Sequence, residues 1–375
     1  MDPIPKARYI MLGGFLGAGK TTAVAALGRY LHARGLRVGL ITNDQGYELV
    51  DTALLRSQGF STEEILGGCF CCRFNSLVDA ATRLTESTRP DVFIAEPVGS
   101  CTDLVATVTY PLRRIYGTHF EIAPLSVLLD PIRAERMLGL AQGGKFSEKV
   151  QYIYRKQLEE ADAIVLSKMD LLDQDRLDRL KSRLAAEFPN TTILATSVRT
   201  GTGLEPWFEL LTSEEQRPRP SLGIDYATYA DGEALLGWLN ATLQFSSKDP
   251  TDPNRILQTL AQSLKTQIAP AEIAHLKMTL SPDIGLGGIA AIHLVRSDYI
   301  PELSLSLEEP IYSGQIIVNI RAEAPPEDLH SALTSALENF PTEFPATRLT
   351  LEHHEFFRPG KPEPTHRDSI ATAIP

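Results

Sequence analysis

The segment Gly14-Phe15-Leu16-Gly17-Ala18-Gly19-Lys20-Thr21 fits G-x-x-x-x-G-K-[ST] at every position, and no other feature limits so strongly what this chain can fold into. A loop of this kind works only between a buried strand and a helix. Its glycines let backbone N–H groups converge on phosphate oxygens, and the helix N-terminus adds a favourable dipole. The flanks meet that demand: Arg8–Leu12 reads as a buried strand and Thr21–Ala33 carries helix-period apolar positions. Gly14, Gly17, Ala18 and Gly19 are the expected cradle. Lys20 is expected to neutralise β/γ-phosphate charge, Thr21 to hold Mg²⁺ through its hydroxyl, and Thr22 to reach the α-phosphate.

Further short aliphatic runs follow at Arg37–Thr42, Val92–Ala95, Leu125–Leu129, Ala163–Leu166 and Thr192–Ala195, with helical patterns such as Phe146–Glu160 between them. That alternation predicts an α/β domain with a mostly parallel sheet over residues 1–215. The Pro-rich stretch 216–223 reads as a linker. Residues 224–358 read as a smaller α+β domain, of which a ferredoxin-like arrangement is one form. Its expected helices are Gly232–Thr242, Arg255–Gln267 and Glu327–Asn339. Its expected strands are Ala274–Leu280, Ile289–Val295, Gln315–Ile320 and Arg348–His354. Residues 359–375 are Pro-rich and polar and are expected to form a flexible tail.

Two further elements bear on a nucleotide. Glu96, at the end of the Val92–Ala95 strand, is placed to orient Mg²⁺ or its water, and Gly99 three residues on can turn its N–H toward a γ-phosphate. Ser167-Lys168-Met169-Asp170 follows a strand as a guanine-reading N-K-x-D element does, with serine in place of asparagine. There Asp170 would accept from the guanine N1–H and N2 amine, which adenine does not offer, and Lys168 would lie over the base. Ser197 and Val198, before the Gly201/Gly203 turn, offer backbone N–H groups toward guanine O6. Their order favours GTP/GDP over adenine nucleotides.

Gly67-Gly68-Cys69-Phe70-Cys71-Cys72 crowds three of the four cysteines into four positions. Such spacing points to metal or redox chemistry more than to bracing. Thiolates select Zn²⁺ first, with Co²⁺ or Ni²⁺ as alternatives. Cys69, Cys71 and Cys72 leave one position for an exchangeable ligand, and Glu63, Glu64 or Cys101 are candidates for it. A thiol redox pair, or plain packing of small apolar groups, are the competing readings.

Taken together, GGFLGAGKTT, GGCFCC, the E-x-x-G of AEPVG and SKMD resemble the CobW-type GTPases, relatives of the urease and hydrogenase nickel-insertion GTPases. The resemblance covers about Tyr9 to Leu211. It implies GTP hydrolysis coupled to delivery of a metal to a client metalloprotein. Asn43-Asp44-Gln45-Gly46, with Asp51 beyond, is similar to the family's switch region, where Asp44 stands for a glutamate acting toward metal or attacking water. The alternative is a GTP-dependent activator of a corrinoid or other metalloenzyme with only a structural metal site. A nucleotide-regulated binding module with negligible turnover belongs to a different class again.

Composition removes other classes. A formal net charge of -11 disfavours nucleic-acid binding, since phosphate backbones select clustered Lys and Arg. No apolar run approaches the roughly 18–20 residues that span a bilayer. The expectation is a cytoplasmic protein without nucleic-acid or membrane partners, with a homodimer left open.

Overall fold

The computed structural model describes residues 6–43, 50–284 and 288–368. These fall into two compact units, one of residues 6–43, 60–230 and 362–368, the other of 50–59, 231–284 and 288–361. Along the chain the first unit opens with β1 (Ala7–Gly14), α1 (Lys20–His32) and β2 (Val38–Asn43), and the second contributes α2 (Val50–Ser57). The first unit resumes with β3 (Thr62–Ile65), α3 (Phe74–Ser87), β4 (Val92–Glu96), α4 (Tyr110–Tyr116), β5 (Phe120–Ile122), β6 (Ser126–Leu129), α5 (Pro131–Met137), α6 (Glu148–Glu159), β7 (Ala163–Leu166), α7 (Gln174–Glu187), β8 (Thr192–Ala195) and α8 (Leu204–Ser213). Helix α9 (Tyr226–Leu235) runs through the boundary. The second unit then has β9 (Gly237–Thr251), α10 (Pro253–Ile268), β10 (Ile273–Pro282), β11 (Ala290–Leu294), β12 (Glu302–Leu305), β13 (Ile311–Ala322), α11 (Pro326–Glu343) and β14 (Thr347–Phe357).

The first sheet has the order β3-β2-β4-β1-β6-β7-β8, with β5 beside the start of β1, and every pairing is parallel. Strands β4, β6 and β7 are buried at every residue. This matches continuous aliphatic runs covered by helices on both faces. All six strands expected from the sequence are present. The short, charged β3 (TEEI) carries no such run and was not legible.

The second unit is a six-stranded antiparallel sheet of order β12-β11-β10-β13-β9-β14. Four of these strands with two helices, in the order β9-α10-β10-β13-α11-β14, give the ferredoxin-like arrangement, and the β11–β12 hairpin extends it past β10. Register divides the faces. Leu276 opposite Ile320 and Met278 opposite Val318 point into the core beneath α10 and α11. Lys277 and Asn319, opposite each other, point the other way and receive α2. There the Lys277 ammonium holds both Asp51 carboxylate oxygens at 2.7 and 2.6 Å, and Asn319 Oδ1 accepts the Val50 N–H at 3.0 Å.

Three sequence expectations differ from this fold. The helix expected over Gly232–Thr242 is replaced by the end of α9 and the start of β9. An interior strand of its sheet, β9 buries every residue from Gly237 to Leu243, and its Leu239, Ala241, Leu243 and Phe245 alternate with Asn240, Thr242 and Gln244 at the period of a strand, not of a helix. The stretch 216–222 is bound to the first unit, with the Gln216 N–H on Ile122 O at 2.9 Å and the Arg219 N–H on the Tyr110 hydroxyl at 2.9 Å. The division between units therefore falls after Ala230. Residues 362–368 of the expected flexible tail pack in the first unit. No helix among the described residues is long and apolar enough to cross a bilayer.

Leu260 is fully buried on α10 in the core of the second unit. Leu260→Ala should cost about 2–5 kcal/mol of unfolding free energy, read by chemical denaturation. A loss well under 1 kcal/mol would mean that this core is not packed as described.

Candidate nucleotide site and metal centre

Parallel pairing brings the carboxyl ends of β1, β2, β3 and β4 to one edge of the sheet, where open α/β sheets bind ligands. The loop after β1 takes the expected cradle form. Gly17 and Gly19 adopt φ of 79° and 89°, and Gly14 adopts 130°. A Cβ on Gly14 would lie 2.4 Å from Leu128 O, so only glycine fits. Gly19 caps α1, and the chain enters the helix at Lys20. The Lys20 ammonium, largely buried, donates to Gly14 O at 2.9 Å, which curls it over the loop. The Thr21 hydroxyl donates to Glu96 Oε1 at 2.9 Å. Hydroxyl and carboxylate thus meet as a pair of hard oxygen donors, the donor chemistry that Mg²⁺ takes. Thr22 is exposed beside them.

The β7 and β8 ends meet the same loop from the other side. The Ser167 hydroxyl is buried and donates to Ala18 O at 2.7 Å. Its role is therefore to brace the SKMD turn on the phosphate loop. Lys168, at φ 50°, extends over the loop to Gly17 O at 2.8 Å and to Asp130 at 2.9 Å. The Asp170 side chain is half-buried, with Arg199 at 4.0 Å. The Met169 N–H donates to Thr196 O at 3.0 Å, which locks this turn to the one carrying buried Ser197 and half-buried Val198. Asp44 lies outside the described residues. Asn43, next to it, uses its amide to hold Ile65 O at 3.1 Å and Gly68 O at 2.7 Å. Asp51 lies in the second unit on Lys277.

Beyond β3, Gly67 and Gly68 take φ of 71° and 148° and reverse the chain into a turn in which the Cys72 and Arg73 N–H groups donate to Cys69 O. The three sulfurs converge: Cys69 to Cys71 is 2.7 Å, Cys69 to Cys72 3.1 Å and Cys71 to Cys72 3.6 Å. Sulfurs sharing one Zn²⁺ at 2.3 Å sit roughly 3.7 Å apart, so about 1 Å of movement would suit the set to one metal. Among the described residues this is the one cluster with such geometry. Cys69 and Cys71 are buried and Cys72 is half-buried. None of the four cysteines is in a disulfide.

Cys101 completes the group from the loop after β4. Its thiol donates to Cys69, and this bond, ahead of those from Cys71 and Cys72, holds the Cys69 thiol well below its ordinary pKa. The same contacts work against the partners: Cys71 is held well above the ordinary value, and Cys72 is pushed up to about 11, chiefly by Cys69. One sulfur of the cluster therefore carries charge before the others. Glu63 instead pairs with Arg83 at 2.7 Å.

The segment after Pro362 crosses this cluster. The Glu363 N–H donates to Cys72 Sγ at 3.2 Å, the Thr365 N–H to Cys71 O at 2.8 Å, and the Thr365 hydroxyl to Cys72 O at 3.1 Å. His366 meets Phe74 edge-on at 5.0 Å, and Arg367 reaches buried Asp103 at 2.7 Å, which also accepts from the Tyr226 hydroxyl at 2.7 Å. The Arg367 guanidinium also donates to Leu222 O at 2.7 Å, the Asp368 N–H donates to Ala106 O at 2.8 Å, and Asp368 pairs with Arg114 at 2.9 Å. A Pro-rich polar stretch gives no periodic sign of such docking, and the Arg367–Asp103 pair spans 264 residues.

These features define a P-loop nucleotide-binding protein with a thiol cluster on the nucleotide edge of its sheet. The chain belongs to the CobW/HypB/UreG family, whose nucleotide-binding domain matches residues 8–195. Two curated relatives are zinc chaperones named CobW. One, from a Sinorhizobium species, is 30% identical over 200 residues, covering 47% of this chain and 54% of the relative. The other, from Pseudomonas aeruginosa, is 26% identical over 213 residues, covering 50% and 56%. The chain therefore spans about half the length of the curated relatives it matches. Among solved structures, hydrogenase maturation factor HypB from Archaeoglobus fulgidus aligns at TM-score 0.38 and 18% identity, over 55% of this chain and 89% of its own. The Zn(II)-bound YjiA GTPase from E. coli aligns at TM-score 0.37 and 15% identity, over 89% and 99%.

Glu160 anchors the loop beyond Cys101, accepting from the Thr102 hydroxyl at 2.9 Å and the Val105 N–H at 3.2 Å. Burial, then the charge of Asp103, pushes its carboxyl up to about 8. The folded state therefore holds a proton that the unfolded chain releases near pH 4.5. Its contribution to stability is fullest below that value and is lost as pH rises toward 8. Glu160→Gln removes the titration while giving up one of the two bonds. The stability of the wild type relative to Glu160→Gln should fall between about pH 5 and about pH 8, measured by denaturation at both. A difference independent of pH would contradict the assignment.

Proposed function

We propose that the chain is a GTP-hydrolysing metallochaperone that holds a thiophilic metal, zinc first and cobalt second, at Cys69, Cys71 and Cys72 for a client metalloprotein. The observation that carries this reading is the convergence of three sulfurs at the same sheet edge as the phosphate loop. In the proposed cycle the N–H groups from Gly14 to Gly19 receive phosphate oxygens, and Lys20 leaves Gly14 O for the β/γ-phosphates. Thr22 reaches the α-phosphate. Thr21 and Glu96 hold Mg²⁺, which supplies charge neutralisation on the γ-phosphate when bound. Gly99 offers its N–H to that phosphate, and Asp44 is assigned toward the attacking water or the metal. GTP and water give GDP and phosphate. The four thiols suit a reducing, cytoplasmic setting.

Guanine selection is assigned to Asp170, with Lys168 beneath the base and the Ser197–Val198 backbone toward O6. Charged hydrogen bonds of this kind contribute about 1.5–3 kcal/mol. Wild type should therefore bind GTP at least roughly tenfold tighter than ATP, and Asp170→Ala should erase most of that preference, both by calorimetric titration. Equal affinities in the unmutated protein would remove the GTP assignment.

Burial of Cys69 and Cys71 favours a second reading, in which the metal is structural and the protein is a GTP-dependent activator of a corrinoid or other metalloenzyme. Linkage separates the two. A chaperone whose thiolates answer to nucleotide must bind Zn²⁺ with different affinity in its GDP and GTP-analogue forms, by about 5- to 150-fold for typical couplings. Competition with a metal indicator measures this. Replacing all three cysteines by serine should abolish zinc binding and spare GTP binding. Identical zinc affinity in both nucleotide forms would leave the activator reading.

A further inference from the structure

We infer that Cys101 is the metal ligand through which the γ-phosphate is read at the thiolate cluster, an inference that rests on the chaperone reading above. Cys101 is 1% exposed and sits two residues after Gly99, in a turn closed by its own N–H on Val98 O at 3.0 Å. The Gln157 side-chain amide on α6 donates to Gly99 O at 2.9 Å and to Cys101 O at 2.8 Å. Both carbonyls hang from one group, so the turn from Gly99 to Cys101 shifts as a body. At its other end the turn presses on the phosphate loop, where a Cβ on Gly99 would lie 2.9 Å from Leu16 N. A phosphate that draws the Gly99 N–H toward itself must therefore carry the Cys101 sulfur with it.

The far end of that displacement is the metal cluster. The Cys101 thiol reaches Cys69 but stands outside the tight set of Cys69, Cys71 and Cys72. A small movement then decides between two coordination states. With Cys101 engaged the metal has four thiolates, a closed set of the kind that retains zinc. With Cys101 withdrawn it has three and an open position, the arrangement suited to exchange. Engagement replaces the Cys101 S–H bond with an S–metal bond and releases the proton to solvent. Half-buried Cys72 is then the side from which an incoming ligand approaches.

Co²⁺ is the probe, because its sulfur-to-metal charge-transfer absorption grows with the number of thiolates. Full-length protein loaded with GDP or with a non-hydrolysable GTP analogue is titrated with Co²⁺, as wild type, Cys101→Ala and Cys101→Ser. In wild type the band should differ in intensity between the two forms. In both variants it should be equal, at the weaker level, and the affinity ratio between nucleotide forms should fall from about 5- to 150-fold to near one, with nucleotide affinity kept. Gln157→Met, which keeps every sulfur but unhooks the turn, should retain Co²⁺ binding and lower the ratio. If wild type binds neither Co²⁺ nor Zn²⁺, the chaperone reading fails and this inference with it. Wild-type coupling that persists in Cys101→Ala overturns the inference alone.

Discussion

Met11 pairs with Ala95 and Thr42 with Glu96, so β1, β4 and β2 end together at one edge of the first sheet. Everything chemical in that unit depends on this register. It sets the Thr21 hydroxyl 2.9 Å from Glu96, although 75 residues separate them, and it sets Asn43 where its amide can hold Gly68 O and shape the turn that gathers the thiols. A slip of one residue would turn every strand side chain to the opposite face. Such a slip would also carry the Glu96 carboxylate away from the Thr21 hydroxyl, so register and site geometry go together.

The thiol cluster shows the opposite economy, in which local geometry overrides ordinary side-chain behaviour. Three thiols within 3.6 Å, two of them buried, would in isolation be a poor way to fill space. Their mutual hydrogen bonds concentrate acidity on Cys69 and leave Cys71 and Cys72 protonated, so a metal entering the cluster would displace protons in sequence. Around them stand two clamps. Gln157 on α6 and Glu160 just after it hold the Gly99–Val105 loop from behind, and the segment Glu363–Asp368 holds the Cys71–Cys72 turn from outside. The first clamp is buried, the second part-exposed.

What could be read from the sequence was what announces itself locally. The phosphate loop, all six aliphatic strands of the first sheet and helices α1, α6, α10 and α11 carry their periodicity or motif in a dozen residues or fewer. The crowding of Cys69, Cys71 and Cys72 into four positions was plain in the sequence, and the turn at Gly67 and Gly68 brings their sulfurs together. Strand β9 was read as a helix although Leu239, Ala241, Leu243 and Phe245 alternate with Asn240, Thr242 and Gln244 at a strand's period. The docking of α2 on β10 and β13 was invisible because it rests on Lys277 meeting Asp51, 226 positions apart. Ser167 stands where a guanine-reading element has asparagine, and its hydroxyl braces the turn on Ala18 O. Cys101 could only be offered beside Glu63 and Glu64, since nothing local tells a thiol on one loop that it faces a thiol on another.

If one loop, from Glu96 to Cys101, serves both the phosphate and the metal as proposed, the zinc ligand set must change with the nucleotide. X-ray absorption at the zinc edge tests it most directly, by counting sulfur neighbours near 2.3 Å in zinc-loaded protein with GDP and with a non-hydrolysable GTP analogue. A change of one sulfur between the two forms is expected. The same sulfur count and the same distances in both would contradict it.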